Sequence, residues 1–128
     1  MRAGAYAVWR GEVFECAYAP NSTLWLFRPT SQPRPEGFEY DRQRGWERKF
    51  HISEVERRFS VTTTAVWQGQ RVDVAYIRDD GRVLIRGGAL SDPPRHPAVT
   101  VTEKGFEWEA LVPQYELTEV VEKYHDSI

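Results

Sequence analysis

The chain has 128 residues, a net charge of -2 and a hydrophobic content of 41%, which is enough apolar side chain for a folded core. Its apolar runs are far shorter than the roughly 20 residues of a membrane-spanning helix, and charge follows its start too soon for a signal peptide. We therefore expect a cytoplasmic protein. The single cysteine, Cys16, excludes an internal disulfide and a multi-cysteine metal site. The aromatic content of 13% favours β structure.

A repeat organises the chain, because AVWRG at 7–11 returns as AVWQG at 65–69. A shift of 58 positions aligns residues 5–28 with 63–86 without a gap, and eight of these 24 pairs are identical. After each glycine, the side chains follow the alternation of a half-buried strand. The repeat therefore predicts a duplicated β unit.

Each copy predicts the same elements in the same order. They are a strand through Val8 or Val66, a tight turn at Gly11 or Gly69, a strand through Tyr18 or Tyr76, a polar hairpin, a strand through Phe27 or Ile85, a long Pro-rich loop, a strand from Trp46 or Phe106, and a short helical turn. Strands this short and regularly spaced are typical of a small barrel.

Two further helical segments are predicted. Ser53 and Glu56 have the spacing of a capping box, which predicts a helical turn linking the two copies. In the tail, residues 115–125 predict a short C-terminal helix, because apolar side chains recur there at helical spacing: Leu117, Val120, Val121 and Tyr124. The predicted domains are residues 1–58 and 59–128.

The closing segments of the copies carry a family resemblance. GWERKFHISEV at 45–55 and GFEWEALVPQYEL at 105–117 each have a glycine and an aromatic, then a strand, then ISEV or VPQYEL. This pattern resembles the end of SH3-like barrels, where a 3₁₀ turn precedes the last strand, and the resemblance implies two tandem SH3-like small barrels in a mainly β protein. The acidic and aromatic peptide-binding set of eukaryotic SH3 domains is not evident, so proline-rich ligands are not implied. In type, the chain is similar to bacterial toxin-immunity proteins and to uncharacterised actinobacterial proteins.

Single residues that could carry chemistry have structural interpretations. Trp9 and Trp67 stand at the same point of each copy, which favours a packing role. Cys16 aligns with Val74, so this position requires a small apolar side chain rather than a nucleophile. No histidine has a second ligand at metal-site spacing. The sequence predicts no metal and no cofactor.

Two surfaces are candidates for binding a protein partner. Residues 1–58 have a net charge of +2 and residues 59–128 of -4, and near Trp108 an acidic surface would attract a basic partner: Glu103, Glu107, Glu109, Glu116, Glu119 and Glu122. The alternation over 106–110 predicts that the aromatics point inward and the carboxylates outward. The second candidate is the pair of Pro-rich loops around Phe38 and His96, because loops on a rigid scaffold often carry recognition.

The leading functional prediction is a non-enzymatic protein-binding module. The resemblance to immunity proteins implies a basic toxin domain as the partner. One alternative is a nucleic-acid binder, since the first copy has a basic cluster near Trp46, which comprises Arg42, Arg44, Arg48, Lys49, Arg57 and Arg58. The other alternative is an enzyme that uses the carboxylates near Trp108.

Overall fold

The computed structural model describes residues 1–88, 92–102 and 107–127, and this part of the chain is mainly β. The described residues form eleven strands: β1 (Gly4–Trp9), β2 (Glu12–Ala19), β3 (Thr23–Arg28), β4 (Glu39–Asp41), β5 (Gly45–His51), β6 (Arg57–Trp67), β7 (Gln70–Ile77), β8 (Arg82–Gly87), β9 (Val99–Val101), β10 (Trp108–Pro113) and β11 (Thr118–Asp126). Two 3₁₀ turns complete the elements, Ile52–Glu54 after β5 and Gln114–Glu116 after β10. No helix in the described ranges has the length and apolar content of a membrane span.

The chain divides into two compact units. The N-terminal unit comprises Ala5–Ser60 and Tyr124–Ile128, and the C-terminal unit comprises Met1–Gly4 and Val61–Lys123. The terminal residues 1–4 and 124–128 thus fall outside the domains predicted for them.

Both units have the same order of antiparallel strands. The order is β4-β5-β3-β2-β1 in the N-terminal unit and β9-β10-β8-β7-β6 in the C-terminal unit, with β11 paired to β6. A 3₁₀ turn follows the corresponding strand, β5 or β10, in each unit. The strand pairs of the described residues do not close into a ring in either unit.

The first hairpin of each unit shows why the repeated glycine is needed. Arg10 and Gly11 have φ angles of 51° and 74°, and Gln68 and Gly69 have 50° and 74°. Two central residues with positive φ define a type I′ turn, whose twist matches that of the paired strands. In both copies, glycine at the second position therefore relieves the strain of a tight hairpin.

The register shows that the ungapped sequence alignment is wrong after β2 and β7. Cys16 lies opposite Leu26 and Val74 lies opposite Ile85, so the equivalent of Leu26 is Ile85 rather than Leu84. The reason is an irregularity in the ladder between Val74 and Tyr76. Because a shift of one residue moves a side chain to the other face of a sheet, this correction decides which side chains of β8 are buried.

Each unit has its own apolar core. In the N-terminal unit the fully buried members are Ala7, Phe14, Leu24, Leu26, Phe38 and Phe50. In the C-terminal unit they are Ala65, Trp67, Val72, Val74, Val83, Ile85, Trp108, Ala110, Val112 and Leu117. The alternating members of each strand thus cover one face of the sheet, as the period of two predicts.

The predicted C-terminal helix is wrong, because Thr118–Asp126 is the strand β11. Its side chains are almost all exposed. The backbone instead pairs with β6, for example where the Ser127 N–H donates to the Arg58 carbonyl at 2.9 Å. The β-branched residues of the tail, Thr118, Val120 and Val121, also favour a strand.

The predicted linking turn is present but its cap is different. His51 and Glu54 form the capping box of the 3₁₀ turn Ile52–Glu54, and β6 begins at Arg57. Glu56, which was assigned to the box, instead accepts a 3.0 Å hydrogen bond from the backbone N–H of Gly11. A capping box that begins two residues earlier is equally compatible with the sequence, since an imidazole nitrogen can also accept from a backbone N–H.

Candidate protein-binding surface

The carboxylates Glu107 and Glu109, which we call the acidic row of β10, point outward as predicted, while Phe106 lies outside the described residues. Trp108 and Ala110 are 1% and 2% exposed, whereas Glu107 is exposed and Glu109 is half-buried. The Oε2 of Glu109 lies 3.5 Å from the Nε of Arg86, so part of the negative charge is paired. Because Trp108 is buried on the other face, it cannot serve as an aromatic anchor beside these carboxylates.

The predicted continuation of this row through the tail is interrupted. The Nε1–H of Trp67 donates to Glu116 at 3.3 Å, and a carboxylate oxygen of Glu122 lies 3.9 Å from the terminal amine of Met1. Glu119 is exposed, at a φ of 47°. Glu103 lies outside the described residues.

The two Pro-rich loops fold back onto the repeated tryptophans. Phe38 is 1% exposed, and its ring centroid lies 5.8 Å from that of Trp9. His96 is half-buried, with its ring 4.9 Å from that of Trp67 and its Nδ1 accepting from the N–H of Ala98. The burial of Phe38 removes it from the predicted partner surface. His96 also packs within its own unit, and both tryptophans have packing contacts, as predicted.

A different surface emerges on β3 of the N-terminal unit. Leu24 and Leu26 are fully buried, so the intervening Trp25 and the following Phe27 lie on the opposite face of the sheet, where both are half-buried. We call this surface the aromatic face. Cross-strand register places these neighbours on it: Glu15 and Ala17 from β2, Glu47 and Lys49 from β5, and Glu39 from β4.

Cations lie over both aromatic rings of this face. The Nζ of Lys49 is 5.8 Å from the Trp25 ring centroid, and the guanidinium carbon of Arg44 is 4.6 Å from that of Phe27. A cation over an aromatic ring is attracted by the negative face of the ring. Since the side chains of Lys49 and Arg44 are both exposed, a competing cation can displace them.

Carboxylates gather at the margin of the aromatic face. Glu39 lies directly opposite Glu47 in the β4–β5 register, and Asp41 follows on the same strand. Partial burial raises the pKa of Glu47, and the charges of Asp41 and Glu39 act in the same direction while that of Arg44 opposes them. Like charges directly opposite each other on a sheet are destabilising, so this arrangement favours an incoming cation.

A groove of about 250 Å³ borders this margin. It is lined by Trp25, Gly37, Glu39, Tyr40, Glu47, Arg48 and Lys49. Tyr40 is 65% exposed and its ring meets that of Trp46 edge-on at 6.1 Å. The groove thus combines exposed aromatic surface with charges of both signs, which is the composition of a protein-recognition site.

The aromatic face was missed from the sequence, although a signal was present. TLWLF at 23–27 is apolar on both faces of a strand, whereas one solvated face is normally polar. The correct register makes the contrast sharper, because the positions equivalent to Trp25 and Phe27 are Leu84 and Arg86. The outer face of β8 is also partly apolar, because Leu84 lies opposite the half-buried Leu111, so the aromatic pair is what distinguishes the N-terminal copy.

Other chemistry has little support in the described residues. They contain no group of three or more His, Cys, Asp or Glu side chains that could hold a metal ion. Burial raises the pKa of the half-buried Cys16 thiol to about 11, against a smaller opposing effect of Arg58, so the reactive thiolate is disfavoured.

Comparison with known proteins does not identify a function. No family model matches the chain, and no curated protein or solved structure matches it either. The function is therefore argued from the side chains of the aromatic face and from the difference between the two units.

Proposed function

We propose that the protein is a non-enzymatic protein-binding module whose contact surface is the aromatic face of the N-terminal unit. The observation that carries this proposal is the pair Trp25 and Phe27, which lies on the outer side of a sheet whose other side is already packed. Large aromatic side chains of this kind dominate binding energy at protein interfaces. The surrounding carboxylates and cations supply the polar rim that gives specificity.

The fold proposed for this module is a tandem pair of SH3-like repeats. Its support is the shared strand order, the shared type I′ hairpin and the 3₁₀ turn that follows β5 and β10. From the resemblance to toxin-immunity proteins, we propose that the protein is cytoplasmic and that its partner is a basic toxin domain. A gene for a large secreted protein with a variable C-terminal domain beside this one would strengthen that proposal, whereas a housekeeping operon would weaken it.

The proposal is tested by affinity capture with three baits. The wild-type chain, a Trp25→Thr variant and a Leu84→Thr variant are used on lysate of the source cell, and retained proteins are quantified by mass spectrometry. Leu84 is the matched control, because it is the half-buried equivalent of Trp25 in the other unit. We expect a partner that is retained by wild type and Leu84→Thr and is reduced at least about tenfold by Trp25→Thr.

Circular dichroism shows whether each bait is folded. Equal retention by folded Trp25→Thr and wild-type baits would contradict the proposed surface. Equal loss with both variants would assign the effect to general loss of stability rather than to the aromatic face.

A nucleic-acid binder is the second candidate. The cations near the two half-buried rings, Lys49 over Trp25 and Arg44 over Phe27, favour it, because proteins that bind single strands combine base stacking with phosphate contacts. The carboxylates Glu39 and Glu47 oppose it by repelling phosphate. Filter binding of an oligothymidine at low salt decides between them, since retention that falls steeply with added salt would support this candidate.

A further inference from the structure

Two carboxylates of the aromatic face form no direct ion pair among the described residues. Glu39 and Glu47 lie opposite each other on β4 and β5, and within the described residues neither carboxylate accepts a hydrogen bond or joins an ion pair. Elsewhere in the same unit, exposed carboxylates do have such partners: Glu36 meets Arg10 at 2.7 Å, and Asp126 meets Arg57 at 2.7 Å. Direct ion pairs thus form at other carboxylates of this unit, whereas Arg44 acts on Glu47 without a direct contact.

The surroundings of the pair are aromatic rather than only acidic. Trp25 and Tyr40 line the same groove as Glu39 and Glu47. The cation nearest to the indole, Lys49, lies at 5.8 Å, which is at the outer limit of a cation–π contact. A cation that contacts the Trp25 ring more closely could therefore displace Lys49 and reach the carboxylates as well.

We infer that the groove takes an arginine side chain from a basic protein segment, with its guanidinium on the Trp25 ring and its N–H groups directed at Glu39 and Glu47. This inference rests on the proposed protein-binding function and names the chemistry of the partner. A guanidinium is planar, stacks on aromatic faces and presents several donors to carboxylates at once. Arg48 and Lys49 also line the groove, but Arg48 donates to the Glu36 carbonyl and lies over the Trp9 and Phe50 rings, and Lys49 is exposed. The two carboxylates therefore favour a cationic occupant, because a phosphate would face both of them and an apolar segment would leave both uncompensated.

The probe for this inference is a capped hexa-arginine peptide, titrated at low salt into the ¹⁵N-labelled full chain. Backbone and indole N–H shifts are followed by NMR. We expect the largest shifts at the Trp25 indole and along β3 and β5. A capped hexa-lysine peptide should bind more weakly, since an ammonium group cannot stack flat on the indole or donate two parallel hydrogen bonds to one carboxylate.

Two double variants test whether binding of the peptide depends on the carboxylates of the groove. Glu39→Gln with Glu47→Gln removes the charges of the groove, and Glu107→Gln with Glu109→Gln removes the same number of charges from β10 as a matched control. We expect the first to weaken hexa-arginine binding at least about tenfold, because hydrogen bonds to charged groups are lost, and the second to change it less than about twofold. Amide spectra of the free variants verify that both are folded.

The outcomes separate this inference from the proposed function. Equal weakening by both double variants, or shifts centred on β10, would overturn the inference by showing general attraction to negative charge. A partner that is sensitive to Trp25→Thr but binds the Glu39→Gln, Glu47→Gln variant as tightly as wild type would overturn it and leave the proposed function standing. Shifts in the groove on addition of oligothymidine but not of hexa-arginine would overturn both in favour of nucleic acid.

Discussion

The two units share a core pattern but differ on their outer faces. In the N-terminal unit the outer face of the central strands has Trp25 and Phe27, whereas the equivalent positions of the C-terminal unit have Leu84 and Arg86. Glu47 lies opposite Phe27 and joins no ion pair among the described residues, while its counterpart Glu109 lies opposite Arg86 and pairs with it at 3.5 Å. Packing restrains what lies inside each copy, whereas the outer faces of the two copies differ in their aromatic and charged side chains.

The cores of the two units also differ in how far the repeated tryptophan, Trp9 or Trp67, is buried. Trp67 is 1% exposed and touches Trp108 and His96, with ring centroids 5.9 and 4.9 Å away. Trp9 is half-buried, and the guanidinium carbon of Arg10 lies 4.5 Å from its ring centroid. The same sequence motif thus has a stronger structural role in the C-terminal unit.

The largest expected effect tests this difference in burial. Trp67→Ala should destabilise the protein by about 3–5 kcal/mol, because a fully buried aromatic leaves a cavity. Trp9→Ala should have roughly half that effect, since part of the Trp9 ring is already in contact with water. Urea unfolding measures both. Equal destabilisation would contradict the contrast between the two tryptophans.

The next largest loss of stability is expected from substitution of a glycine in the C-terminal unit. Gly87 lies opposite Trp108, and a Cβ added there would come within 2.0 Å of the Trp108 Nε1. Gly87→Ala should therefore cost about 1–3 kcal/mol through overpacking. In the N-terminal unit the equivalent residue is Arg28, which lies opposite the half-buried Trp46.

Gly88→Ala is the matched control, because nothing lies within 4 Å of a Cβ added at Gly88. Thermal unfolding of the two variants is compared with that of wild type. A melting temperature for Gly87→Ala that equals that of Gly88→Ala would show that Trp108 can move aside.

The equivalent pair Cys16 and Val74 predicts a smaller effect. Cys16→Val should change stability by less than about 1.5 kcal/mol at neutral pH, as a near volume-conserving change at a half-buried site. The folded state raises the pKa of Cys16 from an ordinary value of 9.0 to about 11, so it favours the neutral thiol. The stabilisation from this shift is complete below about pH 9 and is lost as the pH rises toward about 11.

Urea unfolding of wild type and Cys16→Val at pH 8 and at pH 10.5 measures this linkage. Wild type should lose more stability than the variant between these pH values, and the native thiol should react slowly with a thiol reagent at pH 8. An equal loss in both proteins, or rapid modification, would show that the thiol is not shielded by the fold.

The smallest effect is expected at the acidic row of β10. Charge reversal by Glu107→Lys with Glu109→Lys should change the free energy of unfolding by less than about 1 kcal/mol, because exposed ion pairs such as Arg86–Glu109 contribute little. The on-rate of a basic partner at low salt should fall only modestly, through the loss of long-range attraction. A large drop in on-rate would place the partner on the C-terminal unit, as the sequence first indicated.

Local patterns were enough to predict some features. Alternation along β10 placed Trp108 inward and Glu107 outward, and the repeated glycines located both type I′ turns. The tail was misassigned because spacing of Leu117, Val120, Val121 and Tyr124 suits a helix in isolation, while the strand depends on pairing with β6, distant in sequence. The equivalence of Trp25 with Leu84 depended on the register of β7 and β8, which the ladder irregularity after Val74 shifts by one residue.

Hydrogen exchange of the chain with its captured partner tests the central claim most directly. Amide exchange is compared by mass spectrometry in the free and bound protein over β3 and β5 of the N-terminal unit and over β8 and β10 of the C-terminal unit. We predict that binding slows exchange along β3 and β5, around Trp25 and Lys49, and leaves β8 and β10 unchanged. Protection confined to β8 and β10 would contradict the claim that the outer face of the N-terminal unit is the site of recognition.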